Sequence, residues 1–256
     1  MTFLHAVVLG IVEGVTEFLP VSSTAHLILT SHLLRLEQTE FQKTFDIAIQ
    51  LGAILAVVVL YARSLLRRFD VWLRVIVAFA PTAVLGALFY RVIKQNLMES
   101  IPVVLWALLL GGIALILFEY FHREKGNAVE DPGAISFRQA FTIGLCQSLA
   151  FVPGVSRAAA TIVGGLLLGI RRKTIVEFSF LLAVPTMAAA AGLDLLQTAP
   201  SFSGREFGLL AAGFLTSFVV ALLSILWLLR FVQRRSFTLF GIYRILLAVL
   251  LWTVLV

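Results

Sequence analysis

Apolar runs approaching the ~20 residues needed to cross a bilayer recur along most of this chain. In hydrocarbon no water satisfies backbone N–H and C=O groups, so an unbroken run of this kind must close its hydrogen bonds within itself, as a helix. The sequence is 60% hydrophobic and 13% charged, with a mean hydropathy of +1.01, values that no ordinary soluble domain shares. The reading is one all-α polytopic membrane domain over residues 1–256, with six spans at 45–61, 75–92, 101–121, 175–197, 207–229 and 237–256. Only residues 122–138 form a markedly hydrophilic loop.

Two segments break this pattern. The first apolar run, from residue 2, meets Pro20 and restarts as residues 24–34, about 16 Å of helix, too short to cross. The second, from residue 137, is cut by Pro153-Gly154 and restarts as 157–170, about 21 Å. Both predict re-entrant hairpins, at 2–34 and 137–170, and a broken helix at membrane depth is tolerated only where protein or a polar cavity covers it. An offset of 134 lays Gly10 on Gly144, Glu13 on Gln147, Val21 on Val155 and Ser22 on Ser156. The expectation is an inverted repeat, residues 1–121 and 137–256, with a site near the midplane where the broken helices meet.

The net charge of +6 does not point to nucleic acid, because the basic residues fall in short loops between spans. With both hairpins re-entrant, thirteen Lys and Arg residues lie on the side of loop 63–74 and five on the other. That bias predicts the loop inside, with both termini and the mouth of the first hairpin outside. The single cysteine, Cys146, excludes an internal disulfide, and no Cys/His set has zinc spacing. The N-terminus has no basic region before Arg35 and does not read as a cleaved signal peptide.

The chemistry concentrates at the breaks. In EGVTEFLPVSSTAH, Glu13 and Glu17 share a helix face about 6 Å apart. Two carboxylates at that distance in low dielectric call for a proton or a hard divalent cation such as Mg²⁺ or Ca²⁺; the plainer reading is a structural hydrogen-bonded pair. Ser22, Ser23 and Thr24 suit a helix start, where one of them caps. His26, three residues from Ser23, completes a workable nucleophile and base. In PGVSRAAAT, Gly154 helps break the helix, Ser156 caps the next, Arg157 stands in its first turn and Thr161 lies one turn on. A helix N-terminus carrying an arginine is a phosphate site; the plainer reading has Arg157 pairing with Glu13 or Glu17. Gln147, the repeat mate of Glu13, is expected at the cavity. Gln50, Glu177, Ser179, Asp194 and Arg244 are weaker candidates, and Arg244 has no evident partner.

EGVTEFLPVSSTAHLIL, PGVSRAAATIVGG and EFSFLLAVP closely resemble the undecaprenyl-diphosphate phosphatases of the bacitracin-resistance type, over nearly the whole chain. Two positions depart from the family pattern: Ala158 replaces a serine after Ser-Arg, and Ala25 stands where glycine is common before the histidine. The resemblance implies a bacterial plasma-membrane enzyme that removes the terminal phosphate of undecaprenyl diphosphate. Its product is the lipid carrier of peptidoglycan synthesis, and bacitracin resistance follows. It also implies dependence on a divalent cation, Mg²⁺ or Ca²⁺, and a polyprenyl diphosphate as partner among membrane lipids; a homodimer is left open. On this reading Glu13 and Glu17 hold the metal, and Arg157 and the helix starts hold phosphate. Ser23 attacks with His26 as base, or a glutamate-activated water attacks instead. Inverted repeats with broken helices also describe secondary transporters, so a carrier of a phosphate-bearing polyprenyl lipid is the alternative.

Overall fold

Hydroxyl side chains open most of the helices. In the computed structural model, which describes residues 1–37, 39–96, 100–124, 126–198 and 203–255, the Thr2 side chain accepts from the His5 N–H to start α1 (Phe3–Thr16). Ser22 starts α2 (Ser23–Leu33), Thr39 starts α3 (Glu40–Arg67), and α4 is Phe69–Asn96 and α5 Ile101–Phe121. A capping box of Ser136 and Gln139 opens α6 (Phe137–Gln147), and Ser156 opens α7 (Arg157–Leu167). Then follow α8 (Arg172–Thr198), α9 (Gly204–Phe231) behind a second capping box of Ser203 and Glu206, and α10 (Thr238–Leu255). Each such cap stabilises its helix by roughly 1 kcal/mol. Lys125 falls outside the described residues, as do the side chains of Arg91, Lys94 and Asp194.

Among the described residues, α3, α4, α5, α8 and α9 are long and apolar enough to cross a membrane. The sixth expected span, α10, has 18 residues, about 27 Å. The 28-residue helices α3, α4 and α9 overrun the predicted spans because polar ends continue the helix beyond the apolar run. Large apolar side chains such as Leu88, Leu110, Phe121 and Leu223 face outward, a surface suited to lipid rather than water. The protein is a multi-pass, all-α membrane protein.

Both breaks are present, with changed edges. The first helix ends at Thr16 rather than running to residue 19: Glu17 closes it, its N–H donating to the Glu13 carbonyl (2.9 Å), and a turn carries the chain through Pro20 to Ser22. The second ends at Gln147, followed by a 3₁₀ turn at Ser148–Phe151. The turns need the residues that the apolar pattern had assigned to helix. Gln139, at the start of the second hairpin, donates its Nε2 to the Leu168 carbonyl near its end (3.0 Å), so the hairpin returns to the level where it began.

One order of elements occurs twice: a broken hairpin followed by three long helices. The hairpins are exchanged, α1 lying along α9 and α6 along α4. Equivalent glycines permit both contacts. A Cβ on Gly10 would sit 2.6 Å from the Gly213 carbonyl, and one on Gly144 1.9 Å from that of Ala78; bare backbones let helices approach closely. The main apolar cluster, including Phe18 against Phe180 edge-on at 5.2 Å, lies between the hairpins and α3, α4, α8 and α9.

The loop ends carrying most of the basic residues gather at one end. Arg68 pairs with Asp131 (2.8 Å) and Arg171 with Glu130 (2.8 Å), while Arg172 meets Glu119 in a buried ion pair. The Arg68 guanidinium holds the Asp131 carboxyl below its usual range. Arg234 and Arg235 line a pocket with Arg171 and Arg172 at this same end.

Candidate active site

The ends and starts of broken helices put three motif residues in contact. Glu17 closes α1, Ser23 is the first residue of α2, and Arg157 the first of α7. Ser23 donates its hydroxyl to Glu17 Oε2 at 2.5 Å, and Arg157 Nη2 donates to Glu17 Oε1 at 3.2 Å. One carboxylate therefore joins the first residues of two helices related by the 134-residue offset. Arg157 Nη1 donates to the Ser179 carbonyl (2.9 Å), and the Ser179 and Thr161 hydroxyls are 2.6 Å apart. The expected Arg157 ion pair forms with Glu17, both partners being nearly buried, at 11% and 6% side-chain exposure. Removing one partner of such a pair costs about 3–5 kcal/mol, because the other charge is stranded.

Glu13 lies one turn before Glu17, fully buried, and neither of its carboxyl oxygens has a hydrogen-bond partner; Arg157 Nε is likewise unpartnered. Orphaned buried oxygens of this kind need a proton or a cation. Among the described residues no group of three or more His, Cys, Asp or Glu is gathered for a metal. A cation here would take Glu13 and Glu17 from the protein and its remaining oxygens from substrate, the manner of Mg²⁺ at phosphate sites.

Both breaks hold unusual backbone. Ser22 sits at φ +73°, one of two non-glycine residues with positive φ among those described, and caps α2 by accepting from the Ala25 N–H (3.5 Å). Gly154 is at φ +95°. The breaks are tied to each other where the Ser156 hydroxyl, which accepts from the Ala159 N–H, donates to the Leu19 carbonyl (3.3 Å). Thr24 follows on α2, half-buried. The N-termini of α2 and α7 thus lie beside one cluster, a favourable place for phosphate oxygens.

Two motif residues make their contacts elsewhere. His26 is not joined to Ser23. Its Nδ1 donates to the Ser22 carbonyl (2.7 Å), and in the neutral ring Nε2 accepts from the Tyr243 hydroxyl (2.7 Å), the two rings stacked 5.6 Å apart. Position i+3 on a helix brings His26 near Ser23 in sequence, but the ring turns to the break and to α10, and the carboxylate in contact with Ser23 is that of Glu17. Gln147, expected at the cavity, is buried, and its Nε2 donates to Thr82 (2.9 Å) and Thr186 (3.2 Å), on α4 and α8. Ala158, which departs from the family pattern, is fully buried in the main apolar cluster.

Sequence reasoning missed Tyr243 and the hydroxyls of Thr82 and Thr186, and it ranked Ser179 low. Their partners lie on other helices, and a hydroxyl in an apolar span carries no local signal. Glu177 is near Lys173 (3.9 Å) on the first turns of α8, as expected of a residue near a span end.

Broken helices delivering a carboxylate, a serine hydroxyl and an arginine to one buried point define a polytopic membrane protein built to handle a phosphorylated or otherwise anionic group. Residues 6–250 match the model of the family described as bacitracin resistance protein BacA, and the chain belongs to that family. It is 51% identical to the undecaprenyl-diphosphatase of Aquifex aeolicus over 247 residues, 96% of each chain. Against the proteins of that name from Wolinella succinogenes and Sulfurovum sp. the figures are 47% over 250 residues, 98% of this chain and 97% of the relative, and 41% over all of both.

Proposed function

We propose that this protein hydrolyses undecaprenyl diphosphate to undecaprenyl phosphate and inorganic phosphate in a bacterial plasma membrane. The observation that carries this reading is the Glu17 carboxylate in contact with both Ser23 and Arg157. The diphosphate head enters between the hairpins while its prenyl tail stays in lipid. The terminal phosphate takes Arg157 and the N–H groups at the α2 and α7 starts, with Ser156 and Thr161 beside them. As Arg157 turns to phosphate, it frees Glu17 Oε1, while Oε2 stays on the Ser23 hydroxyl. Ser23 Oγ then attacks the terminal phosphorus and its proton passes to Glu17. The anhydride P–O bond breaks and undecaprenyl phosphate leaves. Glu17 hands that proton to the departing phosphate; water then attacks the phosphoserine phosphorus and gives its proton to the freed carboxylate, which passes it to Ser23 Oγ as the Ser–O–P bond breaks and inorganic phosphate leaves. A divalent cation, held by Glu13 and Glu17, would spread the charge developing on the phosphoryl oxygens. His26 fixes the Ser22 carbonyl and so the direction of Ser23. The undecaprenyl-diphosphatase name of the relatives favours hydrolysis over lipid carriage.

The test is phosphate release from undecaprenyl diphosphate by purified protein with Mg²⁺, Ca²⁺ or chelator, beside Glu17→Gln and Ser23→Ala. Metal-dependent release should fall about 10²-fold or more in both variants, and 32P from labelled substrate should be trapped on the wild type at acid quench. Full turnover by Ser23→Ala with no trapped label would leave Ser23 as a phosphate ligand and make water the nucleophile.

A further inference from the structure

Arg244 is the intramembrane charge that sequence leaves without a partner, and the function above does not use it. It lies on α10 and is 1% exposed. Among the described residues it forms no ion pair, and its hydrogen bonds all go to backbone carbonyls from three segments. Nη1 donates to Pro20 (3.3 Å) in the first break. Nη2 donates to Gly154 (3.0 Å) in the second, and to Ala107 (3.0 Å) on α5. Nε reaches Leu108, also on α5 (3.4 Å). Space for this fork comes from two bare positions. A Cβ on Gly111 would lie 2.1 Å from Nη2, and one on Gly154 2.6 Å from the Val104 carbonyl.

Burying a cation without an anion is unfavourable even when carbonyls solvate it. Arg157 is balanced by Glu17, whereas Arg244 is balanced by carbonyl dipoles alone. The planar guanidinium can donate to several acceptors in fixed directions, which a lysine cannot copy.

We propose that Arg244 is the positioning residue of the site: it fastens both helix breaks to α5, which fixes Ser23 against Arg157, and its unneutralised charge favours a diphosphate over a monophosphate headgroup. This rests on the phosphatase reading for its kinetics, but its binding arm stands apart from it.

The experiment compares Arg244→Gln, Arg244→Lys and Gly111→Ala with wild type, and with Arg172→Gln, which strands Glu119 at the basic end away from both breaks. Gly111→Ala keeps the charge but pushes the guanidinium off its carbonyls, and the displaced group is the movable end of a side chain, so the fold is retained. Readouts are kcat/KM for phosphate release and the rise in Tm caused by methylenediphosphonate, a diphosphate that cannot be cleaved, against inorganic phosphate. Arg244→Gln should lower kcat/KM about 100-fold, and Gly111→Ala and Arg244→Lys about tenfold, as small misplacements of reacting groups do. Arg244→Gln should also lose the preference for diphosphonate over phosphate. Arg172→Gln should lower Tm while keeping both. If Arg244→Gln instead behaves like Arg172→Gln, or if Gly111→Ala turns over within threefold of wild type, the proposal is overturned. Should Arg244→Gln not fold, Gly111→Ala decides. A wild type that releases no phosphate refutes the hydrolysis reading. The Tm preference for diphosphonate then tests Arg244 alone: its loss in Arg244→Gln supports the proposal, and its persistence, or its absence from wild type, ends it.

Discussion

Ser22 is held at φ +73°, a region that a residue with a Cβ occupies only under strain of order 1–3 kcal/mol. Its neighbour Ser23 is the proposed nucleophile, and its carbonyl is fixed by His26, so the strain sits where direction matters. Ser22→Gly removes the steric cost, and glycine forfeits only a few tenths of a kcal/mol as an N-cap. The variant should hold or raise Tm in detergent while phosphate release falls roughly tenfold, because the freed backbone lets Ser23 drift from Glu17. A lower Tm at unchanged turnover would show that the strain has no bearing on the reaction. At this scale the sequence was legible in part. Glu17 and Arg157 announced themselves as charges at membrane depth, and Pro20 and Pro153-Gly154 as helix ends. Tyr243 gave no such sign, since its contact with His26 spans 217 positions and a tyrosine near a span end is common in membrane proteins.

Helix against helix, the exchanged hairpins depend on backbone contact without intervening side chains. Gly144 is the stringent case: its missing Cβ would meet the Ala78 carbonyl at 1.9 Å, and its own carbonyl accepts from the Thr82 hydroxyl (3.0 Å). Gly144→Ala must force α6 off α4, an overpacking cost of about 1–3 kcal/mol. Gly192→Ala on α8, where a Cβ meets nothing within 4 Å, should be neutral or stabilising by up to about 1 kcal/mol. Thermal unfolding of both variants checks this, and equal Tm values would refute the close contact. The glycines were visible in the sequence, and the offset of 134 paired Gly10 with Gly144. The exchange of hairpins between halves was not visible. Helices apolar on every side show no face that points to a neighbour, so periodicity cannot choose between packing a hairpin on its own half or on the other. Helix ends were misjudged for a related reason: apolarity marks the part in lipid, whereas α3, α4 and α9 extend beyond it.

Across the whole molecule, the ion pairs of Arg68, Arg171 and Arg172 draw loops from both halves to one basic end. We propose, from the excess of Lys and Arg there, that this end faces the cytoplasm, with both termini and the mouth of the first hairpin outside. In a Cys146→Ala background, a cysteine at Glu37 should react with a membrane-impermeant maleimide on intact cells. One at Gln233 should react only after lysis, and the opposite pattern would invert the topology. Positive-inside counting gives the sequence its expected orientation, which the labelling tests. It could not tell that Arg172 is spent on Glu119 rather than left for the membrane surface.

Ser23 and Arg157 are the same position in two copies of one element order, and Glu17 touches both. Had two identical subunits met in this way, that position would carry either two hydroxyls and no cation or two guanidinium groups repelling each other. Joining the copies in one polypeptide removes the constraint. On the proposed mechanism one half supplies the attacking group and the other the receptor for charge, and neither position need follow the other. On that proposal any oligomer of this protein holds complete sites, and mixing protomers with different defects should restore no activity.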